Sequence, residues 1–270
     1  QGEYPSHPDL LDWLATEFIR SGWDVKAMMR LMVTSATYRQ SSAADAELRA
    51  SDPDNRWLAR GPRFRLSGEM VRDQALFVSG LMEPLIGGPS VKPYQPAGLW
   101  EEVAYSKNMR YVPGSGEDLY RRSMYTFWKR AVAPPSMILF DASGRERCDV
   151  ARRATNTPLQ ALVTLNDVQF VEASRFLAER ILREGGTTPL DRLTYAWRLV
   201  VARQPDALES ETLQKSFQHY LTHYKEHPDA ALQLVKIGEK PFGDLDAVEL
   251  AAYTAMANVI LNLDETITRE

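Results

Sequence analysis

His219, His223 and His227 follow one another at four-residue steps, a spacing that places adjacent imidazoles on one helix face, where two ring nitrogens could hold a transition metal. Their neighbours argue against it. Phe217, Tyr220, Leu221 and Tyr224 claim the inward stripe of the same helix, so His219 and His223 fall on the wet side beside Lys215 and Lys225. An exposed polar face is expected, and no metal site. Cys148 is the single cysteine, which rules out an internal disulfide, a multi-cysteine zinc site and the two-cysteine attachment of a c-type haem. No histidine stands beside it in sequence to activate it, so it reads as a buried or semi-buried structural thiol.

The stretch 121–153 offers other chemistry. It holds eight basic residues (Arg121, Arg122, Lys129, Arg130, Arg145, Arg147, Arg152, Arg153) against three acids (Asp141, Glu146, Asp149). Guanidinium forks suit carboxylate, sulfate or phosphate, and Tyr125, Trp128 and Phe140 can lie against sugar rings or stack on arginine. Arg121, Arg122, Tyr125, Trp128, Arg130, Arg152, Arg153 and Asn156 are therefore the candidate ligand or partner surface. The bland alternative is an internal network, in which the arginines bond to helix ends and to the three nearby carboxylates. Gly87-Gly88-Pro89-Ser90 lacks the lysine and hydroxyl spacing of a phosphate-cradling loop and reads as a turn. The pairs Glu101/Glu102 and Glu69/Asp73 are carboxylates that helix surfaces produce without any catalysis, and the catalytic residues stay unknown.

The basic stretch runs into Thr155-Asn156-Thr157-Pro158-Leu159-Gln160, which carries strong helix-start signals. Thr157 suits the cap, Pro158 the first turn, and Gln160 the return bond of a capping box, while Asn166 or Asp167 is expected to start the next helix; Thr157, Gln160 and Asn166 are accordingly structural positions. If Thr157 is the cap, Thr157→Ala costs about 0.5–2 kcal/mol.

The elements that must position these groups read as mainly α. Ser6 with Asp9 suggests a capping box before Leu10, Leu11, Leu14 and Phe18, Gly22 ends that helix, and Asp24 caps a second one through Val25, Met28, Leu31 and Met32. Asp52-Pro53 is expected to start a third helix with Trp57 and Leu58, and Ser67 a fourth with Met70, Val71, Leu76 and Phe77. From Glu83 to Gly116, prolines and glycines break every pattern, while Tyr94, Trp100, Tyr105 and Tyr111 point to an ordered layer. Tyr125, Phe127 and Trp128 make Arg121–Trp128 the best strand candidate. Helical stripes then return after Asp167, from Leu190, after the Asp206/Glu209 box, and from Leu245 to Leu263. The expected fold is a helical bundle with a long Pro/Gly-rich irregular insertion and minor β structure. It is one module over 1–270, with subdivisions at 1–82, 83–153 and 154–270.

Composition bounds the partners. The chain has 270 residues, 44% of them hydrophobic, with a net charge of -4, enough for a large core and without general attraction to nucleic acid or an anionic membrane. No apolar stretch reaches the roughly 20 residues of a membrane span, and no secretion leader is visible at Gln1–Pro5.

Three blocks, His7–Ala15 with Thr34–Ser42, Arg121–Arg130, and Thr155–Leu162 with Leu165-Asn166-Asp167, together resemble the C-terminal domain of planctomycete-type, cytochrome-associated exported proteins, domain of unknown function 1553. Leu261–Glu265 fits the close of that family. The resemblance implies a periplasmic or otherwise extracytoplasmic place beside preceding domains of the same polypeptide, with haem on a separate domain and no cofactor in this chain. It implies a redox partner or an anionic glycan, and transfers no catalytic residue. The function expected on that basis is a non-catalytic accessory or interaction module; the alternative is an enzyme acting on a saccharide or sulfated glycan.

Overall fold

The computed structural model describes residues 4–103, 110–129, 131–145, 148 and 153–269. Two compact units emerge, residues 1–64 with 268–270, and residues 65–267, so the helix after Ser67 belongs to the second unit.

In the first unit, α1 (Pro8–Arg20) and α2 (Val25–Thr34) form a hairpin, followed by the short α3 (Ala46–Ser51). The Asp24 carboxylate caps α2 by accepting from the Ala27 N–H, as its position suggests. The capping box at Ser6 does not form: His7 is the N-cap residue of α1 without a side-chain capping bond, and the Ser6 hydroxyl instead meets His7 Nδ1. Nor does Asp52-Pro53 start a helix. Asp45 caps α3, and Asp52 ends it, turning its carboxylate onto the N–H groups of Arg56 and Trp57 at 2.7 and 2.8 Å. A local Asx-type turn has displaced the expected helix start. β1 (Phe64–Arg65) and β2 (Thr268–Arg269) make an open two-stranded sheet.

The second unit contains α4 (Gly68–Ser79), α5 (Leu99–Val103), α6 (Pro135–Leu139), α7 (Pro158–Asn166), α8 (Val168–Glu184), α9 (Pro189–Val201), α10 (Ala207–Glu226), α11 (Pro228–Val235), α12 (Ala247–Leu261) and α13 (Asp264–Ile267). α12 is its axis. Leu250 through Leu261 contains no charged residue, and Leu250, Ala251, Ala252, Tyr253, Met256, Ala257 and Ile260 are buried from several directions, because α8, α9, α10 and α11 all pack on this helix. A helix apolar around its circumference belongs inside a bundle. Around it, Thr188/Asp191 and Asp206/Glu209 form complete capping boxes at α9 and α10.

The strand expected at Arg121–Trp128 is absent. Ser123–Tyr125 is a 3-10 turn, and the segment's pairing with neighbouring backbone is limited to single parallel bridges, Arg121 with Glu83 and Thr126 with Val91. The cause is Arg72 on α4: its guanidinium donates to the carbonyls of Leu119 and Arg121, both at 2.7 Å, and to Ser123 Oγ. The carbonyl with which the strand would begin is taken by a buried side chain. The preceding insertion is irregular but ordered where described, with Trp100 buried against Tyr111 and Phe127.

Candidate functional site

Arg121 leads the basic stretch, and the structure places it inside. Its guanidinium donates to the carbonyls of Pro89 and Leu85, each at 3.1 Å, and to that of Gly87, while stacking 4.0 Å over Tyr125. The Gly87 N–H donates to the Tyr125 hydroxyl at 2.8 Å. Arg121 and Tyr125 thus hold the Gly87-Gly88 turn, where both glycines have positive φ. Burial brings the Arg72 guanidinium beneath them down to about 10, against the pull of Asp73 and Asp167, so it remains charged at neutral pH.

The rest of the candidate surface divides. Arg122 is half exposed, with Nε 3.8 Å from Asp73. Trp128 donates its indole N–H to Gly144 and lies 4.2 Å beneath the Arg145 guanidinium. Arg153 and Asn156 are exposed, whereas Arg130 and Arg152 lie outside the described residues. Arg122, Arg153 and Asn156 are thus open to solvent, and Cys148, expected to be buried or semi-buried, is exposed as well.

The Thr155–Gln160 motif is a clamp, not a capping box. Thr157 occupies the N-cap of α7 with extended backbone but no side-chain capping bond. Gln160, 1% exposed, donates to Leu139 O at 2.9 Å and Thr155 Oγ1 at 3.2 Å and accepts from Arg65 Nη2 at 2.8 Å. Asp141, at positive φ, accepts from both the N–H and the hydroxyl of Thr155 at 2.7 Å. Asn166 bonds back to Leu162 O within its own helix. Gln160 and Thr164 are the buried side chains of α7, and its leucines face out: Leu159, Leu162 and Leu165 are 54, 53 and 37% exposed.

A second polar cluster escaped sequence reasoning. Glu172 on α8, fully buried, accepts from the hydroxyls of Tyr94 and Tyr120 and from the Lys240 N–H, all at 3.0 Å. Arg175 lies beside it at 3.6 Å, bonded to Glu179 and to Lys240 O. Gly238 passes so close that any Cβ would collide with the Glu172 carboxylate. Burial, aided by the Glu172 charge, pushes the Tyr94 hydroxyl up to about 12, and raises Tyr120 further. The only sequence signal was a glutamate on the apolar side of α8. The cluster is filled by protein and ties three segments to one helix.

His219, His223 and His227 are exposed, as their helix stripe requires. Among the described residues, no group of three or more His, Cys, Asp or Glu is arranged to hold a metal, and no helix is long and apolar enough to cross a membrane. Glu101 and Glu102 line a shallow cavity of about 570 Å³ with Gly98 and Arg110.

An apolar groove opens elsewhere. Leu10, Trp13 and Leu14 of α1 face Leu31 and Met32 of α2 across a groove of about 440 Å³ closed by Tyr38, Leu58, Arg60 and Pro62. Trp13 is 51% exposed, and neither α1 nor α2 buries a single residue. Beneath the groove, burial raises the Asp52 carboxyl, but the Trp57 and Arg56 N–H groups with the Arg60 and Arg56 charges outweigh it and hold it below the usual carboxylate range.

Fold and site define a helical domain with internal arginine clamps and an open apolar groove. The chain belongs to the family PSD1, described as "Protein of unknown function (DUF1553)", whose profile matches residues 1–217; the Leu261–Glu265 resemblance lies beyond that match. No curated protein and no solved structure matches the chain.

Proposed function

We propose that the domain is a non-catalytic accessory or interaction module within an exported, haem-associated multidomain protein, acting outside the cytoplasm. The observation that carries this reading is the hairpin α1–α2, whose apolar stripes are well formed yet bury nothing. Apolar surface of this kind marks association. The family membership supports a module role and supplies no reaction. Haem sits on another domain in this reading, and the preceding domains of the same polypeptide are the first partners, with the exposed Arg122 and Arg153 adding a salt-sensitive attraction to an acidic redox partner. The test is co-purification with those preceding domains supplied as a separate chain. Leu10→Asp with Met32→Asp should abolish it while leaving the circular dichroism unchanged, and unimpaired association would refute the assignment.

The alternative, an enzyme on a saccharide or sulfated glycan, draws on the cavity at Glu101, Glu102 and Arg110. Hydrolysis of a glycan panel lost on Glu101→Gln and Glu102→Gln would favour it over the module.

A further inference from the structure

A polar pocket lies where the start of α1 meets the turn after α3. It holds about 310 Å³, near the lower end of the roughly 300–1,000 Å³ of small-ligand clefts, and is bounded by His7, Asp52, Asp54, Arg56 and Trp57. Its floor is fixed. Asp52, 4% exposed, accepts from the N–H groups of Arg56 and Trp57 at 2.7 and 2.8 Å, and Arg60 Nη2 donates to the Asp52 and Pro53 carbonyls at 2.7 and 2.9 Å. The turn that carries the rim side chains is therefore bonded on both sides. The rim itself is unengaged. Trp23, Trp100, Trp128 and Trp197 each have a ring or a guanidinium against the indole, whereas Trp57, 62% exposed, has neither among the described residues. The exposed Asp54 carboxylate and Arg56 guanidinium likewise make no hydrogen bond or ion pair among the described residues.

We propose that this pocket binds one pyranose ring of a neutral saccharide, its C–H face on Trp57 and its hydroxyls on Asp54, Arg56 and His7. An indole takes a flat apolar face, and a hydroxyl both donates to a carboxylate and accepts from a guanidinium, so a polyhydroxylated ring satisfies all of these side chains at once. A wholly apolar ligand would cover Asp54 and Arg56 without giving them partners. A lone anion or cation meets a side chain of its own sign, and a zwitterion gains little, because exposed charge pairs are screened by water. The exposed rim leaves room for a longer sugar chain to continue past the bound ring. The pocket shares no lining residue with the α1–α2 groove or with the cavity at Glu101 and Glu102, so the proposal stands independently of both readings above.

The test uses the whole chain with fluorotryptophan in place of tryptophan, followed by fluorine NMR during titration with cellohexaose, xylohexaose and mannohexaose. The Trp57 resonance, assigned from its absence in Trp57→Phe, should shift saturably with at least one of these sugars, and the affinity should hold as salt rises because the ligand carries no charge. By calorimetry, Trp57→Ala should weaken that binding about tenfold and Asp54→Ala about fivefold, with the circular dichroism unchanged. The resonance of the unsubstituted chain decides the matter even if a variant misfolds. A Trp57 signal unmoved by all three sugars, full affinity in Trp57→Ala, or binding of chondroitin sulfate or of free phenylalanine at this pocket more tightly than the best neutral sugar would each overturn the proposal.

Discussion

α1 and α12 are helices of similar length that end in opposite environments, one striped with apolar residues beside Asp9, Asp12, Glu17 and Arg20, the other apolar around its circumference. α12 sits among α8, α9, α10 and α11 with Leu250, Tyr253 and Ile260 at 0% exposure; α1 has no buried residue, and Ile19 is 59% exposed. The pattern explains why α12 needs neighbours on every side and α1 on one. An apolar stripe states that a helix needs a neighbour, and only the rest of the chain determines whether that neighbour is supplied. The two units differ in polar interior too: residues 65–267 contain the Glu172–Arg175 and Arg72 networks, whereas Asp52 is the one buried charged side chain of the first unit among the described residues.

The contrast is broken most severely at Glu172. Glu172→Ala leaves the Tyr94 and Tyr120 hydroxyls and the Lys240 N–H without their acceptor and Arg175 with one carboxylate fewer, so unfolding free energy should fall by about 3–5 kcal/mol. Urea unfolding of the variant measures it, and a loss below 1 kcal/mol would mean that the cluster is not a structural lock. Matched truncations sharpen the comparison next. Leu177→Ala in α8, at 0% exposure, should cost about 2–5 kcal/mol, and Leu31→Ala in α2, at 38%, under about 1.

Acid and alkali should separate the units as well. Asp52 has a depressed folded pKa, so its stabilisation of the 52–60 turn is complete above the ordinary carboxyl value near 4 and is lost as pH falls through the lower folded value. Hydrogen exchange of the Arg56 and Trp57 amides should accelerate there, and Asp52→Asn should remove that pH dependence. Tyr94 behaves oppositely. The fold prefers its neutral hydroxyl, so the stabilisation is present below the ordinary tyrosine value of about 10 and is lost as pH rises toward about 12. Tyr94→Phe should flatten the alkaline fall in stability of the second unit.

Much of the helical framework was legible. The Asp167 cap, the Gly185-Gly186 stop and the Asp206/Glu209 box lie where local rules put them, because capping bonds span only a few residues. What failed was set by distant side chains. Tyr125, Phe127 and Trp128 have strand propensity, but Arg72, some fifty residues earlier, takes the Arg121 carbonyl at the start of the segment and the Leu119 carbonyl just before it. The arginine stretch was legible as basic; that Arg121 would be spent on Leu85, Gly87 and Pro89 was not, since nothing local shows which carbonyls a loop will bring within reach. The groove was half legible: Leu10, Leu14 and Leu31 declared an apolar face, and only the structure shows it uncovered. α11 passed unnoticed because its eight residues carry too short a stripe.

The smallest expected effect discriminates best between local signal and structure. Thr157 and Thr188 both precede a proline at the first turn of a helix and both sit at the N-cap with extended backbone, so sequence alone treats them alike. Their bonds differ. Thr188 Oγ1 accepts from the Asp191 N–H at 3.1 Å and its own N–H meets the Asp191 carboxylate, closing a reciprocal pair. Thr157 makes no such bond, because Gln160, three residues on, has turned inward to Arg65 and Leu139. Thr188→Ala should therefore cost about 1 kcal/mol, and Thr157→Ala under about 0.5, below the 0.5–2 kcal/mol expected of a working cap. Paired urea titrations resolve the two, and equal losses would mean that Thr157 caps α7 in solution after all. Gln160→Leu, which unmakes the inward clamp, should then exceed both, since it strands the buried Leu139 carbonyl and deprives Arg65 of an acceptor.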